Sequence, residues 1–404
     1  MLGILDDVKV VELAHGLSGA FCAKLLADQG ADTIKIEPPV LGDAARREPP
    51  FLSGTPNPEQ SSLFLAYNTN KRGITLDIKT PTGKELLLRL LKDVDVLIES
   101  FPPGYLETLG LSFPELSQNN PKLILVSITP FGQTGPYKHF LSDDLIEQAM
   151  GGHLITGGDT DKEPMALPQN QSAITVGRNG AIATAAALLY QQATGTGQHI
   201  DVCSMEAMVQ TPPSHIHQFS FTGVNGGRGG GGGQKQVMDS MHLKTKDRYV
   251  TLATAGTRGK DPLDVWGDFL GEPKLKDPKW KSRQTRAQEW EELRDLVESK
   301  LMIQGSYEFL EKAMAEFLVV GVVQSPLDVV NCVQLEERSS WSVLEHPEVG
   351  TLKYPGAGFI TNYGNPVEGG KAAPILGQHN QEVYCGQLGL SQEQLIALKS
   401  SGVT

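Results

Sequence analysis

A turn with the sequence Ala14-His15-Gly16-Leu17-Ser18-Gly19 follows a short run of β-forming residues at 8–13. Its glycines supply only part of a GxGxxG dinucleotide-binding fingerprint. The acidic position expected about 20 residues later is Glu37, with Lys35 close by. NAD binding is therefore only weakly indicated. The free N–H groups at a helix start can still receive a phosphate or a carbonyl oxygen. A tight turn leading into a core helix explains the same residues.

Two further loops contain residue types that suit an anionic ligand. Asn68-Thr69-Asn70-Lys71-Arg72 places two cations in a polar loop, and both can donate charge-assisted hydrogen bonds to a polyphosphate. The stretch FGQTGPY at 131–137 follows a predicted strand, and such loops bind ligands at the carboxyl ends of parallel strands. A solvated loop and a surface turn are the plain alternatives.

A run of glycines is unlike the rest of the chain. It consists of Gly229, Gly230, Gly231, Gly232 and Gly233, followed by Gln234. A flexible linker would explain this composition. A mobile lid over a reactive intermediate would explain it as well.

Composition disfavours several functional classes. The net charge of −12 is the opposite of the basic face that nucleic-acid-binding proteins carry, although an acidic protein can still hold a local positive pocket. The four cysteines form no CxxC pair, which favours a reducing cytoplasm over a disulfide scaffold. His215 and His217 are closely spaced, but residues two apart on a helix do not share a face, so no metal site is predicted. No GxSxG nucleophile elbow is present.

The start of the chain and its apolar runs indicate the compartment. Acidic residues occur where a signal peptide needs basic ones. No apolar run approaches the roughly 20 residues of a membrane span. We therefore expect a cytoplasmic protein with no membrane partner.

Strand and helix signals alternate along the first third of the chain. Strands are predicted at 8–13, 32–36, 94–98, 123–128 and 199–202. Ser18 is predicted to cap a first helix, and Thr80 with Pro81 to begin a later one. This alternation predicts an α/β fold with a doubly wound parallel sheet. The change in composition places the large domain at 1–220 and a small α+β domain at 225–325. The segment 326–404 is expected to return to the large domain.

Several motifs in this order resemble one family, the class III CoA-transferases, which also includes the α-methylacyl-CoA racemases. They are VKVVELAHGLSGAFCAKLLADQGADTIKIEPP, NKRGITLDIKTPTGKELLLRLLKDVDVLIESFPPG, ITPFGQTGPY with DLIEQAMGG, ATGTGQHIDVCSMEAM and PILGQHNQEVYCGQLGLSQEQL. The resemblance covers nearly the whole chain. It implies a Rossmann-like large domain built from both ends of the chain and two protomers interlocked as a dimer. It also implies a CoA thioester as substrate, with no permanently bound cofactor.

The residue that carries the chemistry in this family differs here. In the family's transferases an Asp attacks the acyl-CoA, and the resemblance places that Asp at Ala173, within QSAITVG. A methyl group cannot form the mixed anhydride that nucleophilic catalysis requires. The racemase branch needs a His where this chain has Asp143. We therefore assign no catalytic residue with certainty.

The resemblance also implies positions that bind CoA. They are His15, Gly16, Leu17, Ser18, Lys71, Arg72, Ser100 and Phe101. Pro38 and Thr108 stand where arginines are common in the family, and Ser100 stands where Asn is usual. The glycine run resembles the lid that covers the aspartyl intermediate in formyl-CoA transferase.

Three functions remain open from the sequence. The first is the subunit of a heteromeric transferase that lacks Asp, whose homologous partner carries the nucleophile. Such an enzyme would move CoA between succinyl-CoA and an organic acid, such as the aryl-substituted dicarboxylate benzylsuccinate. The second is a homodimeric CoA-transferase or acyl-CoA isomerase that uses Asp143, Asp144, Glu147 or Asp159. The third is an acyl-CoA-binding protein without catalysis.

Overall fold

The computed structural model of the protein describes residues 3–158, 162–211, 215–227, 241–252, 259–362, 364–366 and 369–404. The predicted glycine lid, Gly229 to Gly233 with Gln234, lies outside the described residues, as does Asp159.

Eleven strands occur in this part of the chain. They are β1 (Lys9–Glu12), β2 (Asp32–Glu37), β3 (Lys71–Thr75), β4 (Val96–Glu99), β5 (Ile124–Thr129), β6 (His199–Cys203), β7 (Met241–Lys244), β8 (Tyr249–Leu252), β9 (Val320–Val322), β10 (Trp341–His346) and β11 (Gly350–Pro355).

The described residues also form α-helices. They are α1 (Ser18–Ala27), α2 (Ser62–Tyr67), α3 (Pro81–Leu90), α4 (Tyr105–Thr108), α5 (Phe113–Asn119), α6 (Asp144–Met150), α7 (Gln171–Thr194), α8 (Ser204–Val209), α9 (His215–Thr222), α10 (Pro262–Leu270), α11 (Arg283–Gln288), α12 (Trp290–Leu301), α13 (Ser306–Ala315), α14 (Pro326–Val330), α15 (Val333–Glu337) and α16 (Gln392–Ser400). A π-helical turn spans Gln381–Gln387, and short 3-10 turns occur at Ala44–Arg47, Leu91–Asp93, Leu154–Thr156, Pro273–Lys276 and Pro278–Lys281. Among these helices, none combines the length and the apolar character needed to cross a bilayer.

The central sheet has six strands in the order β3-β2-β1-β4-β5-β6. Every neighbouring pair in it is parallel. The prediction of a doubly wound parallel sheet is therefore confirmed. The strand order reverses between β1 and β4, and such sheets bind ligands at the carboxyl edge near a reversal.

Both faces of the sheet are covered, because alternate side chains of each strand point to opposite sides. On one face Val10, Val96 and Val126 pack with residues of α1 and α7, including Cys22 and Val176. On the other face the strands pack with α3, α5 and the π-helical turn. Leucine and other apolar side chains dominate that second cluster, among them Val11, Leu97, Leu87, Leu116 and Val383.

The chain forms two compact units. The first contains Met1–His153, Ala166–Pro212 and Gln334–Thr404, and it includes the parallel sheet and the β10–β11 hairpin. The second contains Leu154–Met165 and Pro213–Val333. In the second unit the antiparallel strands β7, β8 and β9 share a core with Trp266, Trp280 and Phe309.

One of the two predicted helix caps is confirmed. The Thr80 side chain accepts a hydrogen bond from Gly83 N, and Pro81 occupies the first turn of α3. Ser18 is not a cap: it is the first residue of α1, and Leu17 before it caps without a side-chain hydrogen bond. The turn that enters α1 is held instead by Asp43, whose Oδ1 accepts from Gly16 N at 2.9 Å. This contact comes from a distant segment, so local capping rules could not reveal it.

The close packing of α7 on α1 depends on a position with no side chain. A Cβ added at Gly177 would lie 2.8 Å from the Ser18 carbonyl oxygen and 3.1 Å from Phe21 Cβ. We expect Gly177→Ala to lower the free energy of unfolding by about 1–3 kcal/mol, because overpacking would push the two helices apart. Chemical denaturation of the purified chain measures this change.

Gly386→Ala is the matched control, since a Cβ there would meet nothing within 4 Å. The control should be neutral or slightly stabilising. Equal stability of the two variants would contradict the importance of this contact.

Candidate active site

A groove of about 440 Å³ lies at the carboxyl ends of β1, β2, β3 and β4. His15 and Phe101, two of the predicted CoA-binding residues, line it together. The other lining residues come from the ends of the same strands, the segments after them and the C-terminal end of the chain: Leu13, Ile36, Glu37, Pro38, Pro39, Val40, Leu76, Asp77, Ile78, Lys79, Tyr105 and Gly402. Because this edge lies next to the reversal of strand order, the groove is where a doubly wound sheet is expected to bind its ligand.

The aromatic wall of the groove is built around His15. Its ring contacts Phe101 edge-on at a centroid distance of 5.5 Å, and Phe101 contacts Tyr105 at 4.8 Å. Burial lowers the pKa of His15, and Asp43 only partly offsets this effect. The imidazole is therefore neutral near pH 7, so it can donate one hydrogen bond without adding charge.

Ser100 acts on this wall through the backbone. Its hydroxyl accepts from His15 N at 3.0 Å and donates to the His15 carbonyl oxygen at 3.1 Å. These two bonds join the turn after β1 to the turn after β4. Ser100 thus positions His15, and it is not among the residues that line the groove.

The three residues after His15 have different environments. Gly16 has a φ of +75° and gives its N–H to Asp43, so that amide is already occupied. Leu17 is buried among apolar side chains that include Phe64 and Leu65. Ser18 begins α1. The predicted set of free amides at this turn is therefore smaller than the sequence indicated.

Lys71 is not among the residues that line the groove. Its side chain is fully buried, and Nζ contacts Glu12 Oε2 at 2.7 Å, Ala20 O at 2.8 Å and Asn68 Oδ1 at 2.8 Å. An ammonium has three protons, so these acceptors use its donor capacity. Burial lowers the pKa of Lys71 to about 8, against the attraction of Glu12.

Arg72 is likewise occupied by other side chains. Its guanidinium pairs with Asp32 at 2.7 Å and with Glu382 at 2.8 Å. These pairs hold the π-helical turn near the outer edge of the sheet. Both cations of the adjacent Lys71-Arg72 pair are therefore paired with carboxylates of the protein, and their assignment as CoA ligands stays a prediction.

The exposed cation on the groove is Lys79, which the sequence analysis missed. It follows β3 in the stretch LDIK, and its position just past a strand end was the available signal. Pro38 lines the same groove without contributing charge. The Thr108 hydroxyl donates a hydrogen bond to the Tyr105 carbonyl oxygen at 2.7 Å.

Ala173 lies in the first turn of α7. Its methyl group packs against an apolar cluster that includes Leu17 and Tyr67. The neighbouring Ser172 is buried and gives both its N–H and its hydroxyl to Asp144 Oδ1, each at 2.8 Å. The start of α7 therefore meets a carboxylate supplied by α6.

The alternative carboxylates named from the sequence are held in hydrogen bonds. Asp143 caps α6 by accepting from Ile146 N at 3.1 Å. The second oxygen of Asp144 accepts from Gln148 Nε2 at 2.8 Å. Glu147 is buried, and burial raises its pKa while the hydroxyls of Ser172 and Ser204 oppose that effect. Asp144 accepts both the N–H and the hydroxyl of Ser172, the residue next to Ala173.

A smaller cavity of about 180 Å³ lies beside the groove and shares Tyr105 with it. Glu99, Ser127 and His199 line this cavity, and sequence reasoning missed all three as a group. Ser127 Oγ lies 2.8 Å from His199 Nε2, and Glu99 Oε2 accepts from Phe101 N at 2.7 Å. Burial raises the pKa of Glu99 to about 7, although hydrogen bonds from Ser127 and Phe101 lower it in part. No cation is ion-paired with Glu99 within the described ranges.

The fold is that of an α/β protein with a groove at the carboxyl edge of a parallel sheet. The chain belongs to CoA-transferase family III, whose family model matches residues 5–380. Proteins of this family act on CoA thioesters, which confirms the substrate class inferred from the sequence motifs.

Relatives and a solved structure agree with this assignment. The chain is 31% identical to the formyl-CoA:oxalate CoA-transferase of Streptomyces coelicolor, over 99% of this chain and 98% of the relative. It is also 31% identical to subunit BbsE of the succinyl-CoA:(R)-benzylsuccinate CoA-transferase of Thauera aromatica, over 96% of both chains. The crystal structure of a CAIB/BAIF family protein from Brucella suis has a TM-score of 0.82 and 28% identity, covering 96% of this chain and all of that one.

The buried Glu99 makes stability depend on pH in a defined direction. Its pKa is about 7 in the folded protein against an ordinary value of 4.5, so folding takes up a proton between these values. The contribution of Glu99 to the stability of the wild type should therefore fall as pH rises from about 4.5 to about 7 and then level off. Glu99→Gln should remove this fall and should be more stable than wild type at pH 8, by at most about 3 kcal/mol at about 1.36 kcal/mol per pKa unit. Thermal melting between pH 5 and pH 8 measures it.

Glu85→Gln, at an exposed carboxylate of α3, is the control and should follow the wild type. A wild-type advantage at pH 8 over Glu99→Gln would show that the ionised carboxylate is the stabilising form.

Proposed function

We propose that this chain is the subunit of a heteromeric class III CoA-transferase that lacks the nucleophile. The complex moves CoA between succinyl-CoA and an organic acid. The observation that carries the proposal is Ala173 in the first turn of α7, where the family resemblance places the attacking Asp. The fold around this position is retained, and a partner chain of the same family supplies the missing carboxylate.

The chemistry explains why a partner is needed. In acyl transfer through a carboxylate, an oxygen of the side chain attacks the thioester carbonyl and CoA leaves as thiolate. The CoA thiolate then attacks the aspartyl carbonyl of the mixed anhydride, which releases the donor acid as a carboxylate and leaves an aspartyl-CoA thioester. The acceptor carboxylate attacks this thioester and expels CoA as thiolate, and the thiolate takes the acceptor acyl group from the second anhydride and frees the Asp. Ala173 has no lone pair for the first step. The relative from Thauera aromatica is itself named as one subunit of such a transferase, which supports a two-chain enzyme.

The groove is the proposed place for the nucleotide part of CoA. Its aromatic wall of His15, Phe101 and Tyr105 offers flat apolar surfaces, and exposed Lys79 offers a cation for phosphate. Pro38 provides no second charge there. We therefore propose that this chain holds CoA more weakly than a complete site in its partner.

The surface of α7 supports an obligate partner. Ile182, Leu189 and Tyr190 expose 68%, 69% and 53% of their areas on this helix of 24 residues. Large apolar side chains in a row on one helix mark a protein interface. We propose that the homologous subunit covers this surface, in line with the interlocked dimer that the family resemblance implies.

A self-sufficient enzyme is the second candidate, and Asp144 is the observation that favours it. Its carboxylate accepts two hydrogen bonds from Ser172, the residue next to Ala173. Both of its oxygens accept hydrogen bonds, which lowers the nucleophilicity of a carboxylate. This candidate therefore ranks below the heteromer.

Activity should require the second chain. We expect the purified protein alone to show no CoA transfer between succinyl-CoA and a dicarboxylic acid, whereas co-purification with its Asp-bearing homologue should restore turnover. Borohydride or hydroxylamine trapping followed by mass spectrometry should then find the label on the partner. Robust turnover by this chain alone, or a label on Asp143 or Asp144, would favour the second candidate.

The groove assignment predicts a selective loss of CoA affinity. Lys79→Ala should weaken CoA binding by about tenfold, because one charge-assisted phosphate contact contributes about 1.5 kcal/mol. Isothermal titration with CoA measures this. Lys92→Ala, at another exposed lysine of the same unit, is the control. Equal affinities for the two variants would remove Lys79 from the proposed site.

A further inference from the structure

Arg178 is an exposed cation on α7 whose charge the fold does not use. Its guanidinium carbon lies 6.0 Å from the centroid of the Phe21 ring. None of the carboxylates in the described part of the chain lies within 4.0 Å of it. An unpaired arginine beside an aromatic ring is able to bind an anion that carries an apolar group.

Tyr67 adds a hydroxyl to the corner between α7 and α1 at which Arg178 and Phe21 lie. Its ring meets Phe21 edge-on at 5.4 Å. Burial raises the pKa of the Tyr67 phenol, the charge of Arg178 opposes that effect, and the charge of Asp144 adds to it. The hydroxyl therefore stays protonated near pH 7 and is available as a donor close to a cation.

The packing of α7 on α1 holds these groups in place. Gly177 allows the helices to approach so closely that an added Cβ would meet the Phe21 side chain at 3.1 Å. Tyr67 and Ala173 belong to one apolar cluster, so Ala173 lies at this corner as well. The small methyl group at 173 adds no negative charge to that cluster.

We propose that Arg178, Tyr67 and Phe21 form a subsite for the carboxylate of an organic acid whose body is apolar or aromatic. The guanidinium would bind the carboxylate through two parallel hydrogen bonds, and the Tyr67 hydroxyl would donate a third. The rings of Phe21 and Tyr67 would contact the apolar body. Asp144 would repel a second carboxylate from this end and so orient a dicarboxylate. This inference rests on the proposed function, since it names the class of acid that the transferase accepts.

The test measures acid binding separately from CoA binding. Isothermal titration of the complex with its partner uses 2-benzylsuccinate and succinate as probes, which differ by one benzyl group, and CoA as a third ligand. Wild type should bind 2-benzylsuccinate more tightly than succinate. Arg178→Gln should weaken binding of both acids by about tenfold or more. It should leave the affinity for CoA within about twofold.

Two further variants separate recognition from misfolding. Tyr67→Phe should weaken binding of both acids by a smaller factor and keep the preference for the benzyl group. Arg178→Lys should recover part of the affinity, because it keeps the charge and loses the paired geometry. Arg338→Gln, at an exposed arginine of the same unit, is the matched control and should bind both acids as wild type does.

The possible failures are distinguishable. If Arg178→Gln binds both acids as wild type while the complex still transfers CoA, the subsite is wrong and the proposed function stands. If wild type shows no preference for the benzyl-substituted acid, the apolar part of the subsite is wrong. If the complex transfers no CoA, the proposed function fails. Titration of this chain with 2-benzylsuccinate then still decides the subsite.

Discussion

The buried carboxylate of Glu12 lies between two buried ammonium groups, and the rest of the first unit depends on that arrangement. Lys35 contacts one of its oxygens at 2.6 Å and Lys71 contacts the other at 2.7 Å. Burial by itself would raise the pKa of Glu12, but the two lysines lower it. Removing one partner from such a buried set typically costs about 3–5 kcal/mol, because a charge then remains uncompensated.

This network fixes segments that are far apart in the chain. Lys35 also pairs with Asp43 at 2.7 Å, and Asp43 holds the N–H of Gly16. Lys71 binds the carbonyl oxygens of Ala20 and Tyr67. The turn after β1, the start of α1 and the end of α2 are thereby joined. The groove and the corner beside Ala173 owe their shape to these bonds.

A second buried pair extends the network toward the C-terminal segment. Arg46 binds Glu37 through two nitrogens, at 2.7 and 2.8 Å, and gives a further hydrogen bond to Pro374 O at 2.9 Å. Its guanidinium also lies 3.6 Å from the centroid of the Phe64 ring. None of these contacts involves residue 173. The scaffold therefore does not depend on which side chain occupies that position.

Glu99 is a buried carboxyl at the carboxyl edge of the same sheet, and it has a different environment from Glu12. Leu97 and Leu125 lie in the apolar core, and two residues further along each strand come Glu99 and Ser127, on the same face of the sheet. The side chains thus change from apolar to polar as the strands reach their carboxyl ends. Because Glu99 is buried and has no ion pair within the described residues, its protonation state affects the stability of the protein.

The sequence by itself determined the elements and their order. Alternating strand and helix signals predicted the parallel sheet, and Thr80 with Pro81 marked the start of α3, because both signals act over a few neighbouring residues. The residue at 173 is also a fact of the sequence, and with the family motifs it led to the proposal of a partner chain. Local patterns of this kind need no knowledge of what packs against them.

Only the tertiary structure decided what the charged residues do. The sequence indicated a phosphate ligand at Lys71, whereas in the fold Lys71 pairs with Glu12, 59 residues away. The Ser18 cap was replaced by a contact from Asp43, and Lys79 rather than the Lys71-Arg72 pair came to line the groove. A charged side chain has the same sequence signature whether it is buried in an ion pair or free for a ligand. The difference lies in long-range contacts, and those exist only once the chain has folded.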